Sequence, residues 1–211
     1  ANVLTLSLGA STENTDGSDA LSQYADLAVD QGKILTIAAG NSGPNASTIN
    51  CPGCAHKIIS VGATYKQSYS GSVSWSSGCT DVSPAQDQVT CFSSRGPTAD
   101  TRTLPDIVAP GALITSAKNT GGFVDKGCTS MSTPIVAGLA ALMLQARNMT
   151  PEEAKALLMN TAIDLGTAGK DNVYGAGRAN ASKVFDEINN TARASITSAS
   201  RIHNIFVPSG S

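Results

Sequence analysis

Gly127-Cys128-Thr129-Ser130-Met131-Ser132-Thr133-Pro134-Ile135-Val136 leads into an apolar run that continues to Leu144. A run of that length and composition reads as a buried helix, and Ser130 stands at its mouth. The first N–H groups of a helix have no partner within it and point outward. The dipole at that end favours developing negative charge. A serine there is well placed to act as a nucleophile, and the small neighbours Thr129 and Ser132 leave room for a substrate. The plainer reading is a Ser/Thr-rich start of a core helix. The segment taken alone leaves both readings open.

Upstream, Val3–Leu8 is a short apolar run before Gly9 and reads as a buried strand. Leu21, Tyr24, Ala25 and Ala28 recur at helical spacing, which predicts an amphipathic helix over about 19–31. Ser18 is its expected N-cap and Gly32 its stop. Ile34–Ala39 and Ile58–Ala63 read as further buried strands. Strand, helix and strand in that order predict a parallel sheet flanked by helices, an α/β fold. Ile107–Ala109 and Leu113–Ser116 read as short strands, and Gly121–Asp125 as a turn and strand before the Ser130 helix. Thr150-Pro151-Glu152-Glu153 is a capping-box pattern with proline at the first helical position, so a helix is expected to about Asn160. A last helix is expected over about 180–190. Residues 191–211 read as a tail or, through Arg201–Val207, as the start of a following β domain.

Thr129-Ser130-Met131-Ser132-Thr133-Pro134, with Val136-Ala137-Gly138 behind it, resembles the nucleophile motif of the subtilisin-like serine proteases. Ala38-Ala39-Gly40-Asn41-Ser42-Gly43 resembles that family's oxyanion-hole segment, and Val3 to Gly9 its substrate-pairing strand. Phe92-Ser93-Ser94-Arg95-Gly96-Pro97, Asp106-Ile107-Val108-Ala109-Pro110-Gly111 and Tyr174-Gly175-Ala176-Gly177-Arg178-Ala179-Asn180 resemble three more family segments in the family's order. The resemblance covers roughly residues 1–188 and implies a three-layer fold with a mostly parallel sheet between helices. Residues 1–190 are expected to form the C-terminal portion of a catalytic domain. Residues 64–92, rich in Ser, Gly and Tyr, stand where the family has a short connection and read as an inserted hairpin or surface loop. A Gly-x-Ser-x-Gly elbow is absent, which argues against a lipase-type hydrolase.

The family carries its catalytic Asp and His upstream of the strand that Val3–Gly9 resembles. His56 and His203, the two histidines here, have neither the family's position nor its context. The resemblance therefore implies a fold incomplete at its N-terminal side. An N-terminal segment of the same protease is the expected partner, supplying Asp, His and the strands beside Val3–Leu8. Without it that strand would expose an apolar edge. The implied function is a serine endopeptidase acting through an acyl-enzyme on Ser130, inactive as this chain alone. The alternative is a pseudo-protease or structural glycoprotein domain reusing the fold.

Within that reading Asn41 donates its amide to the oxyanion beside the Ser130 N–H. On the isolated segment it could equally be a turn residue in left-handed geometry. Ser7, Leu8 and Gly9 are expected to pair with an extended peptide, and Ala38, Ala39 and Gly40 to wall the primary pocket. Cys128 and Asn50 depart from family glycines, so a shallower or more polar pocket is expected. Cys51 and Cys54 have redox or metal spacing, with a local disulfide or pairing elsewhere favoured over zinc. Cys79 and Cys91 could staple the insertion; with five cysteines one thiol is free or pairs with the N-terminal segment, and Cys128 is the candidate for the unpaired one. Five cysteines suggest an oxidising compartment, hence a secreted or vacuolar/lysosomal location. Asn45, Asn148, Asn180 and Asn189 begin glycosylation sequons. A net charge of −2 implies neither nucleic acid nor an anionic membrane. The run Ile135–Leu144 falls short of the ~20 residues of a membrane span. The chemistry needs no metal or other cofactor; family members often bind structural calcium, but no Asp-rich loop identifies a site.

Overall fold

The computed structural model describes residues 1–12 and 14–191. Along the chain come β1 (Val3–Leu6), α1 (Ala20–Asp30), β2 (Ile34–Ala38), β3 (Ile59–Tyr65), β4 (Ser72–Ser74), β5 (Thr80–Val82), β6 (Ile107–Ala112), β7 (Ile114–Ala117), β8 (Phe123–Lys126), α2 (Thr129–Ala146) and α3 (Pro151–Asn160). A further helix, α4, spans 181–191. Four strands form a fully parallel sheet in the order β1-β2-β3-β6. Arg201–Val207, read as a tail or the first strand of a following domain, and His203 within it lie outside the described residues.

Strand periodicity divides the core into two apolar layers. Leu35 and Ile37 of β2 face α1, packing with Ala25, Val29 and Ile58. Ile34 faces the other way, joining Val61, Ile107 and Ala109 beneath Val136, Ala140 and Met143 of α2, Leu158 of α3 and Val184 of α4. The result is helix, sheet and helix: a three-layer α/β fold. Buried side chains of this size each contribute about 1.5–3 kcal/mol. That explains why α2 forms although Cys128 at its N-cap supplies no side-chain hydrogen bond, a loss of only about 1 kcal/mol. By length and composition α2 could cross a membrane, but it is the helix that covers this sheet.

Several boundaries differ from those read in the sequence. Asp19, not Ser18, caps α1, accepting from the Ser22 N–H at 3.0 Å. The Ser18 N–H is already bonded to the Asp16 carboxylate. β1 ends at Leu6 rather than Leu8 and is only half-buried, because it is an edge strand among the described residues. β3 runs on to Tyr65, whose N–H bonds the Gln88 carbonyl. The excursion between them holds the antiparallel hairpin β4–β5, and Cys79 is joined to Cys91. β7 and β8 form a second hairpin.

The capping box forms as the sequence predicts: Thr150 Oγ1 accepts from the Glu153 N–H, and Glu153 accepts from the Thr150 N–H. Thr150→Ala in the intact protein is expected to cost about 1 kcal/mol. Urea unfolding should show a lower midpoint with an unchanged slope.

Candidate active site

The start of α2 meets the ends of β1 and β2. Pro134 lies inside α2 and has no N–H, so the Ser130 carbonyl one turn earlier loses its helical donor. The Ser7 hydroxyl replaces it, donating to that carbonyl at 2.9 Å. In return the Ser130 hydroxyl donates to the Ser7 carbonyl at 3.3 Å. This reciprocal pair ties the chain just after β1 to the candidate nucleophile. It also explains why β1 stops at Leu6.

Asn41 follows the C-terminal end of β2. Its Oδ1 accepts from the Thr129 N–H at 2.9 Å and from the Thr129 hydroxyl at 3.0 Å. A backbone N–H can only donate, so the contacting atom must be the oxygen. The residue it holds, Thr129, immediately precedes Ser130, and the Nδ2 amide takes no part in these two bonds. The left-handed residue of this turn is Gly40, with φ +116°, and not Asn41. The plain turn role for Asn41 therefore lacks the geometry it would need.

Three other sequence motifs hold this framework. Ser94 donates its N–H to the Gly40 carbonyl at 3.0 Å, and its hydroxyl accepts from the Ser42 N–H. Gly43 lies so close to the Ser93 carbonyl that a Cβ there would approach to 2.2 Å. The Gly111 carbonyl accepts from the Cys128 N–H, backing the nucleophile loop. Ala176 and Gly177 bond the backbone of Asp106 and Val108. The hydroxyls of Ser7 and Ser94 were missed in the sequence; nothing local marks them, since each acts on a segment remote in the chain.

Ser7, Leu8 and Gly9 are exposed, and Leu8 is 49% accessible rather than a buried strand end. Ala38 and Ala39 are buried, and the Ala39 carbonyl is taken by the Asn50 N–H. The Asn50 side chain sits between the two segments. A Cβ on Gly9 would lie 3.3 Å from the Asn50 Cβ, and one on Gly40 would lie 2.6 Å from its Cγ. The Asn50 amide thus lies close to both Gly9 and Gly40, and its Oδ1 accepts from the Ser42 hydroxyl.

Cys128 is unpaired and half-buried. Burial pushes its thiol above the ordinary value, with Lys126 opposing only in part, so it stays protonated at neutral pH. His56 bonds the Asp16 carbonyl through ring Nε2, and its backbone N–H donates to the Asp26 carboxylate; neither partner belongs to the Ser7–Ser130 pair. Cys51 and Cys54 are joined. Their sulfurs lie with Asp19 in the one group of three metal-ligating side chains found among the described residues. Disulfide sulfurs and a single carboxylate do not fit calcium, which needs six to eight oxygens.

The subtilase family model matches residues 1–177. The chain belongs to the subtilase family. It is 36% identical over 197 residues to the serine protease AprX of Bacillus subtilis, covering 85% of this chain and 42% of that protein. It is 31% identical over 183 residues to thermitase of Thermoactinomyces vulgaris, covering 87% and 53%. Among solved structures, the self-cleaved protease domain of PatA superposes with a TM-score of 0.67 at 26% identity, covering 90% of this chain and 63% of that one. The subtilase chain therefore spans between 42% and 63% of the lengths of these three proteins. Its fold and family are those of the subtilisin-like serine proteases.

Proposed function

We propose that this chain carries the nucleophile and oxyanion hole of a serine endopeptidase. Ser130 Oγ would attack the scissile carbonyl carbon while its proton passes to a histidine. The resulting oxyanion would take hydrogen bonds from Asn41 Nδ2 and the Ser130 N–H. Collapse expels the amine, which leaves with that proton, and water then hydrolyses the ester. The observation that carries this reading is the double tie of Thr129 to Asn41 Oδ1. It occupies the Asn41 acceptor, anchors that side chain on the residue before Ser130, and would leave the Nδ2 donor for the oxyanion.

The histidine and its aspartate are assigned to an N-terminal segment of the same protease. Support comes from the edge beside β1. Leu4, Leu6, Leu21 and Tyr24 line a common cleft there, and Leu21 and Tyr24 are largely exposed. A strand added along β1 would cover them. A peptide or protein substrate would lie extended against Ser7–Gly9, with Ala38–Gly40 walling a narrow pocket that presents the Asn50 amide. No metal is needed for this chemistry. Two disulfides favour a secreted or lumenal compartment. Asn45 and Asn148 are exposed sequon residues outside the helices, whereas the Asn180 side chain accepts from the Lys183 N–H. The competing reading, a pseudo-protease or structural glycoprotein domain, rests on the Cys128 and Asn50 departures from family glycines and on the sequons.

The test is a fluorophosphonate probe on the full-length protein, with denaturing mass spectrometry. Labelling at Ser130 that Ser130→Ala abolishes is expected. An unlabelled protein whose upstream sequence lacks the Asp and His would establish the non-catalytic reading.

A further inference from the structure

The excursion between β3 and β6 ends on the nucleophile loop. At the tip of the β4–β5 hairpin, the Trp75 ring lies directly on the backbone of Gly127. A Cβ at Gly127 would stand 2.0 Å from Cζ3 and 2.5 Å from Cη2 of that ring. Gly127 does not adopt positive φ, so its lack of a side chain serves close approach and not backbone freedom. Three residues later comes Ser130.

The ring is held from behind by groups that have no part in the chemistry described above. Trp75 Nε1 donates to Asp81 Oδ2 at 3.1 Å. The same oxygen accepts from the Tyr65 hydroxyl at 2.8 Å and the Cys91 N–H at 3.2 Å. Asp81 is 7% exposed, so these donors replace the water it has lost. Trp75 also packs edge-on against buried Phe92, with centroids 4.8 Å apart at 82°. The Cys79–Cys91 disulfide closes the hairpin behind it. A rigid ring is thus built out from the end of β3 and the Phe92 segment and set against Gly127.

The loop 127–130 is held elsewhere by the Gly111 carbonyl at Cys128, by Asn41 at Thr129 and by Ser7 at Ser130. We propose that Trp75 is a positioning residue that supplies the remaining hold, at Gly127, so that the hairpin helps fix where Ser130 stands. This rests on Ser130 being the nucleophile. Removing the ring opens space beside Gly127 and frees the loop to shift, and a displacement of about 1 Å in a reacting group can cost about 10²-fold in rate.

The experiment is a double-mutant cycle in the full-length protein, reading the rate of fluorophosphonate labelling, kcat and KM separately, and the melting temperature. Trp75→Ala is expected to lower labelling and kcat by about 10²-fold with KM nearly unchanged. Trp75→Phe, which keeps a ring over Gly127 but loses the bond to Asp81, should recover most of the rate. Gly127→Ala should be nearly as damaging in the wild type yet almost silent beside Trp75→Ala, where the ring it would strike is gone. Labelling of Trp75→Ala at the wild-type rate, or independent effects of the two substitutions, would overturn the inference. Should Trp75→Ala not fold, Gly127→Ala alone decides: wild-type labelling by it sinks the proposal. An unlabelled wild type would instead sink the nucleophile assignment itself.

Discussion

Asn41→Asp is expected to cut turnover by about 10²–10³ while leaving the fold intact; that size is borrowed from the loss of an oxyanion-hole asparagine in a subtilisin, a relative of this chain. The substitution keeps the acceptor oxygen that holds the Thr129 N–H and hydroxyl. It replaces the Nδ2 donor by a second carboxylate oxygen, which repels developing negative charge where the amide would have bonded it. The effect should therefore fall on kcat, with KM and melting temperature little changed. Asn41→Ala loses both functions. It frees Thr129 as well, leaving a part-buried N–H unpaired at a cost of about 1–3 kcal/mol. A lower melting temperature in Asn41→Ala, absent in Asn41→Asp, would separate the two roles. Full activity in Asn41→Asp would remove Asn41 from the oxyanion hole.

The parts legible in the sequence are those whose causes are local. β2 reads from five consecutive buried residues, and α3 from the Thr150–Glu153 box. Ser130 reads from its place at the head of an apolar helix. What stayed hidden depends on partners far along the chain. Ser7 at the end of β1 is turned by Ser130, 123 residues away. The Ser94 hydroxyl matters because of Gly40 and Ser42. Trp75 looks like one aromatic in a polar insertion until the fold sets it on Gly127. The choice of Asp19 over Ser18 as a cap could have been argued locally, since Asp16-Gly17-Ser18 is itself an Asx-turn signal.

The same remoteness hides the largest stability effect expected in this chain. Asp106 is 2% exposed and accepts from the Ser60 N–H at 3.0 Å, while Lys155 and Lys170 each approach a different carboxylate oxygen at 2.8 Å. The three charges lock β6 to β3, α3 and the chain near residue 170. Burial alone would raise the Asp106 carboxyl, but the two ammonium groups outweigh it and hold it below its ordinary 3.8. Asp106 therefore adds stability above about pH 4, lost as pH falls through its lowered value. Breaking such a set costs about 3–5 kcal/mol when a buried charge is left alone. The two directions of breakage differ. Asp106→Asn leaves two lysines that are 22% and 32% exposed and can turn towards water, so its cost belongs at the lower end. Lys155→Met with Lys170→Met leaves a carboxylate that cannot reach water, so its cost belongs at the upper end. In that double variant the Ser60 N–H alone opposes burial, which then outweighs it and raises the carboxyl. The sign of the pH dependence then reverses: stability should fall, not rise, as pH increases from about 4. Melting temperature measured against pH on the three proteins reads both effects. An unchanged slope in the lysine variant would mean that Asp106 is solvated by something other than its two ammonium partners.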